Sequence, residues 1–258
     1  MDLLFTVCAR AGSKGVKSKN MRDFLGYPIL YTTLSAYDLY VKKYLAEGDS
    51  ATLVINTDAP QLIEQANGTC VPFIHIPRKE SLAGDRAPKI SVIADTLDAA
   101  EKVTGKHFDM VIDMDLTSPL RKPSDIAGII AALAGNCQAQ VAMSVTEARR
   151  NPYFNQLTVD PDGFMHTAIA SSFVARQEAP TVVDANASLY SYRPDYLRNN
   201  DGILLHGKVI PWEMEDTAVL DIDSERDFML LGVLAEWFFV NSEPFAEVRN
   251  NIPNILRR

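Results

Sequence analysis

The chain has 258 residues, 47% apolar and 22% charged, and 25 Lys and Arg stand against 33 Asp and Glu for a net charge of -8. That balance suits one large globular domain and excludes a protein that coats nucleic acid through bulk positive charge. Cys8, Cys70 and Cys137 are too scattered for a disulfide framework or a C-x-x-C zinc site, no apolar run is long enough to span a bilayer, and the opening residues lack a signal-peptide pattern, so a cytoplasmic location is expected.

Residues 3–8 read as a buried strand that runs straight into a loop of small and basic residues. Arg10, Lys14, Lys17 and Lys19 lie within this loop, and Gly12 and Gly15 let its backbone turn tightly and approach a ligand. Cations beside exposed backbone N–H groups suit a polyphosphate. The loop is neither the dinucleotide fingerprint G-x-G-x-x-G nor the Walker A loop, and a generic Gly/Lys loop is more often a solvated turn. Its place directly behind an N-terminal strand favours phosphate.

Pro28 is expected to start a helix with an apolar face at Ile29, Leu30, Leu34, Tyr37 and Leu39. Strands are expected at 51–56, 71–76 and 108–114, and helices at 60–67, 90–103 and 123–133. This alternation predicts a mostly parallel, doubly wound α/β sheet, whose ligands sit beyond the carboxyl ends of the strands. Arg10 to Asn20, Asp58, Arg78 and Asp115 to Arg121 each follow a strand, so they are expected on one rim. A strand at 140–146 precedes a segment without clear period, at about 145–185, where 155–159 with Asp162-Gly163 suggests a hairpin. This excursion suits a dimerisation arm or a lid. Strands are expected again at 188–192, 204–210 and 219–222. Ser224 then caps a final helix with Glu225 and Asp227 in its first turn. The tail after Asn241 is expected to be peripheral, and the whole chain, 1–258, to form one domain.

Asp221 and Asp223 are spaced i, i+2, which in a regular strand puts both on one face, and two hard carboxylates suit Mg²⁺. Capping and surface pairing are the plainer alternatives. Asp113 and Asp115 form a second such pair. One of them is a further candidate for a metal, and Asp113 is equally suited to a structural role.

Taken together, these segments resemble the cytidylyltransferases that activate nonulosonic acids, the CMP-sialic acid synthetase family. The segment CARAGSKGVKSKN is similar to the family's phosphate loop. Asn56-Thr57-Asp58, Arg78 with Leu82-Ala83-Gly84-Asp85, Thr117-Ser118-Pro119-Leu120-Arg121, Arg176-Gln177, Asn186 to Tyr190 and Leu220-Asp221-Ile222-Asp223 match further family motifs in order along nearly the whole chain. The resemblance implies transfer of CMP from CTP to a sugar acid with release of pyrophosphate, dependence on Mg²⁺, and a homodimer. It implies that Arg10, Ala11, Gly12, Ser13, Lys14, Lys19 and Asn20 hold the triphosphate, and that Arg78, Ala83 and Asp85 lie on the cytosine side. Asp115, Thr117, Ser118, Arg121, Arg176 and Gln177 would lie toward the sugar acid, and Asp221 and Asp223 would ligate the metal. Arg10, Lys19, Asp221 and Asp223 are the residues it implicates in the chemistry.

The chain departs from the sialic acid pattern at Asp115, where the family has Gln, at Leu116, where it has Pro, and at Asp184, where it has Arg. Asp115 and Asp184 are expected near the sugar, and R-N-P-Y-F-N at 150–155 is more similar to the branch that handles bacterial acids such as legionaminic acid. A nucleotidyltransferase for another sugar acid, or a metal-dependent glycosyltransferase built on the two D-x-D pairs, stays open.

Overall fold

β1 (Asp2–Cys8) is apolar at both parities, with Leu3, Phe5 and Val7 on one face and Leu4 on the other, all completely buried. A strand of that kind needs cover on both sides, the signature of the middle of a parallel sheet. The structure, a computed structural model, describes residues 1–12, 16–84, 87–217 and 221–257, with the side chain of Arg176 left out. The short hairpin β2 (Asp23–Phe24) and β3 (Tyr27–Pro28) comes next, turned by Leu25 and Gly26 at φ of 52° and 85°. Two left-handed residues in the turn match the natural twist of a hairpin. Pro28 therefore closes this hairpin opposite Asp23 instead of starting a helix, and α1 (Leu30–Lys43) begins after it.

The expected alternation follows with β4 (Ser50–Thr57), α2 (Pro60–Asn67), β5 (Ile74–Pro77), α3 (Lys89–Thr104), β6 (Met110–Met114) and α4 (Pro123–Gly135). β5 starts later than expected, after Pro72, which has no N–H to give a ladder. β7 (Val141–Glu147) leads into a small two-stranded arm, β8 (Leu157–Val159) and β9 (Met165–Thr167), and the chain returns through β10 (Val183–Tyr192). α5 (Pro194–Asn199), β11 (Val209–Glu213), α6 (Glu225–Asn241) and α7 (Glu243–Ile255) complete the order. The strand expected at 204–210 is displaced: Leu204–His206 is a 3-10 turn, and the ladder begins only where Val209 comes opposite Val141.

The main sheet has seven strands among the described residues, in the order β11-β7-β10-β6-β1-β4-β5. β10 runs antiparallel to β6 and β7, and the other neighbouring pairs are parallel. Apolar residues of α1, α2, α4 and α7 cover one face, and those of α3 and α5 cover the other. A smaller cluster, including Val16, Phe24, Ile222, Leu231 and Phe238, lies under α6.

α7 corrects the expectation of a peripheral tail. Phe245, Val248, Ile252 and Ile255 recur at helical spacing and are buried. Ser35 of α1 donates to the Val248 carbonyl at 2.6 Å, and Asn251 donates to Asp38 at 2.8 Å. Polar residues between the apolar ones disguised this stripe. Among the described residues, no helix is long and apolar enough to cross a membrane.

Candidate active site

A cleft of about 390 Å³ opens at the carboxyl ends of β1, β5 and β6. It forms there because the polar loops that leave these parallel strands all emerge on one rim. Arg10, Lys19, Asn20, Arg78, Asp115, Thr117, Asp221 and Asp223 line it, drawn from four separated parts of the sequence. Its remaining wall is Cys8, Val16, Leu82, Gly84, Ala87, Lys89 and Val92, largely apolar except for Lys89.

The loop after β1 is tied to the sheet through backbone groups. Ala9 N–H donates to the Asn56 carbonyl at 3.0 Å, and Ala11 N–H donates to Asp58 Oδ1 at 2.7 Å. Asn20 is nearly buried and donates its amide to the Arg10 carbonyl at 3.2 Å, so it braces the loop from within. Gly12 is exposed, with nothing among the described residues within 4 Å of the place a Cβ would take. Ser13, Lys14 and Asp85 lie outside the described residues, as do Val219 and Leu220 of the last expected strand.

The acidic pair is held by its middle residue. Ile222 is completely buried against the cluster under α6, while Asp221 and Asp223 on either side line the cleft. Residues 221–223 are not in a strand, so this anchor, rather than the pleat expected from the sequence, brings the two carboxylates together. The capping box of Ser224 and Asp227 starts α6 directly behind them. Lys19 Nζ donates to the Ile222 carbonyl at 2.7 Å and stands 3.7 Å from Asp223 Oδ1. Burial raises the Asp221 carboxyl above the ordinary aspartate range, and the nearby charge of Asp115 adds to this against the pull of the Thr117 hydroxyl and Lys19.

The cleft wall carries a second charged group, backed by Asp113, that the sequence did not reveal as a unit. Lys89 opens α3, and its ammonium lies 2.8 Å from Asp113 Oδ2 and 2.5 Å from Asp115 Oδ2. Burial works against the charge on Lys89, but the two carboxylates outweigh it and hold its pKa well above the usual lysine value. Burial likewise opposes ionisation of Asp115, yet Lys89 and the hydrogen bonds from Thr117 keep that carboxyl well below the usual range. One signal of this was available, because a cation in the first turn of a helix runs against the helix dipole and needs a local reason.

Other expected contacts are placed elsewhere. Arg121 is completely buried, outside the cleft lining, and its Nη2 donates to the carbonyls of Asp115 and Ser118. Burial pulls its guanidinium down to about 10 against the attraction of Asp115, Asp113 and Asp125. Ala83 and Ser118 adjoin the cleft in sequence without lining it. Arg78 lines it and is steadied by Asn56, whose Oδ1 accepts from Nε at 2.9 Å. Gln177 lines a separate hollow of about 370 Å³ with Glu147, Arg149 and Asn151. Asp184 sits at the arm end of β10, where it accepts from Arg149 N–H at 3.4 Å.

Comparison with known proteins gives the family and the fold. A family model described as cytidylyltransferase matches residues 4–231. Post-translational flagellin modification protein B of Campylobacter coli is 35% identical over 238 residues, covering 90% of this chain and 94% of the relative. The CMP-N,N'-diacetyllegionaminic acid synthase of Campylobacter jejuni subsp. jejuni serotype O:2 is 33% identical over 236 residues, with the same coverage. A solved CMP:2-keto-3-deoxy-manno-octonic acid synthetase complexed with CTP has the same fold, with a TM-score of 0.64 at 12% identity over 92% of this chain and 99% of that one. The chain therefore belongs to the cytidylyltransferase family, among its CMP-nonulosonate members, and is a nucleotidyltransferase.

Proposed function

We propose that the chain transfers CMP from CTP to the anomeric hydroxyl of a nonulosonic sugar acid. A new bond forms from that oxygen to the α-phosphorus, the bond to the β-phosphate bridge breaks, and pyrophosphate leaves with its electron pair. The hydroxyl proton passes to solvent. The observation that carries this reading is the meeting of Arg10, Lys19 and Asn20 with Asp221 and Asp223 in one cleft. The name of the C. jejuni relative supports a diacylated bacterial acid such as N,N'-diacetyllegionaminic acid as the acceptor to try first.

In this scheme Arg10 and Lys19 face the triphosphate and offset the charge that builds on the departing pyrophosphate. Arg78 and the apolar wall of Leu82, Ala87 and Val92 receive the base, while Thr117 and Asp115 face the acceptor. Asp221 and Asp223 offer the hard oxygen donors that fit Mg²⁺, an ion that commonly takes one or two carboxylates and completes its shell with water and phosphate. Bound there, Mg²⁺ would polarise the α-phosphoryl group and acidify the attacking hydroxyl. The arm exposes Leu157, Val159, Phe164 and Met165, which suits contact with a second copy of the chain in a homodimer. A cytoplasmic location, where CTP is available, belongs to the same reading.

The test is pyrophosphate release with Mg²⁺, CTP and a panel of sugar acids, with UTP, ATP and GTP as controls. Release with CTP and one acid is the expected result. Absence of release together with absence of CTP binding would overturn the proposal. Lys19→Ala should weaken CTP binding about 10–100-fold, the scale of one lost charge-assisted hydrogen bond. An unchanged dissociation constant in calorimetry would remove Lys19 from the phosphate site.

A further inference from the structure

The following inference rests on the reading of the chain as CTP- and Mg²⁺-dependent. By composition, Asp113 with Asp115 suits a hard cation as well as Asp221 with Asp223 does. The surroundings of the two pairs differ. Asp223 is 80% exposed, with Lys19 at 3.7 Å, so an ion reaches that pair from solvent. Asp113 is completely buried, and the gap between it and Asp115 is filled by the Lys89 ammonium, within 2.8 Å and 2.5 Å of the two Oδ2 atoms.

The other carboxylate oxygens are occupied as well. Thr6 Oγ1 donates to Asp113 Oδ1 at 2.7 Å, and Thr117 donates to Asp115 Oδ1 from its N–H at 3.0 Å and its hydroxyl at 2.7 Å. Arg121, completely buried, brings a second cation to the same group, through the Asp115 carbonyl. Two carboxylates with two cations have little charge left to draw in a divalent ion. Any ion entering there must first expel an ammonium that is tethered to α3 and sits at hydrogen-bond distance.

We propose that Lys89 stands in for a metal ion at the Asp113–Asp115 pair. Its fixed charge compensates the buried Asp113, holds Asp115 in one orientation at the cleft wall, and confines divalent metal to the Asp221–Asp223 side. Lys89 is thus a positioning residue that sets which carboxylates of the cleft bind metal.

The experiment counts bound Mn²⁺ per chain in the presence of CTP, by electron paramagnetic resonance of the free ion. The proteins compared are the wild type, Lys89→Met, Asp115→Asn and the double variant. Asp115→Asn should match the wild type. Lys89→Met should bind one additional Mn²⁺ per chain, because two carboxylates then face each other with only Arg121, held on the Asp115 carbonyl, to offset them, and the double variant should lose that gain. A count that falls by one in Asp115→Asn, or that stays unchanged in Lys89→Met, would overturn the proposal. Circular dichroism checks each fold, and if Lys89→Met does not fold, Asp115→Asn decides the matter alone. A wild type that takes up no Mn²⁺ counts against the ion in the proposed function, whereas Lys89 is read from the difference between variants.

Discussion

Asp221→Asn is expected to lower the rate of pyrophosphate release from CTP by on the order of 10²–10³-fold, the scale on which one preorganised electrostatic group acts. The side chain keeps its size, and its Oδ1 can still accept from the Ile222 N–H, as the native carboxylate does at 2.6 Å. Ile222 keeps its place in the cluster under α6. The change therefore removes a charge from the cleft and leaves the chain path alone. Stability should hold or rise slightly. A carboxyl whose pKa is raised in the folded state costs folding energy at pH values above its unfolded value, and the amide relieves that cost. A coupled pyrophosphate assay and a thermal melt on the same sample separate the two effects. Near-normal turnover in Mg²⁺ with an unchanged melt would take Asp221 out of the mechanism.

The second large effect is on stability. Arg121→Met should destabilise the chain by about 3–5 kcal/mol, the usual consequence of breaking a buried charged network by removing one partner. Arg121 is completely buried, and its Nη2 serves the carbonyls of both Asp115 and Ser118. Methionine fills much of the space but supplies no donor, so two carbonyls lose their partner and Asp113 and Asp115 lose a neighbouring cation. Urea unfolding gives the size of the loss. If Arg121 instead met the sugar acid directly, the substitution would leave the unfolding midpoint in place and raise KM for the acceptor.

The contrast between Arg121 and Arg10 shows what could be read from the chain alone. Order along the sequence was legible, because buried strands and polar loops alternate and a parallel sheet must deliver those loops to one rim. Arg10, Arg78 and Asp115 accordingly meet in one cleft, which Asp221 joins from a segment outside the sheet. Direction was not legible. Thr117 and Arg121 belong to one short motif, yet Thr117 lines the cleft while Arg121 points inward to backbone carbonyls. In the sequence Lys89 is one more charge in the stretch between Arg78 and the helix expected at 90–103. Its partnership with Asp113 depends on α3 packing across the sheet, a contact that no local spacing encodes. α7 was missed for a different reason: its apolar residues follow a helical period, but Asn250, Asn251 and Pro253 gave the segment the look of a loose tail.

The position of β10 between β6 and β7 also has a consequence for how the chain folds. β5, β4, β1 and β6 can pair among themselves using residues 2–114. β7 comes next in the chain but has no edge of that sheet to join until β10, some forty residues later, has taken its place beside β6. β11, which pairs with β7, must wait as well. Such non-local pairings carry a high entropic cost before they are rewarded, so the second half of the sheet should be the slow step. Asp115 would then sit at the seam between an early and a late half of the molecule, and the cleft would be among the last features to acquire its shape.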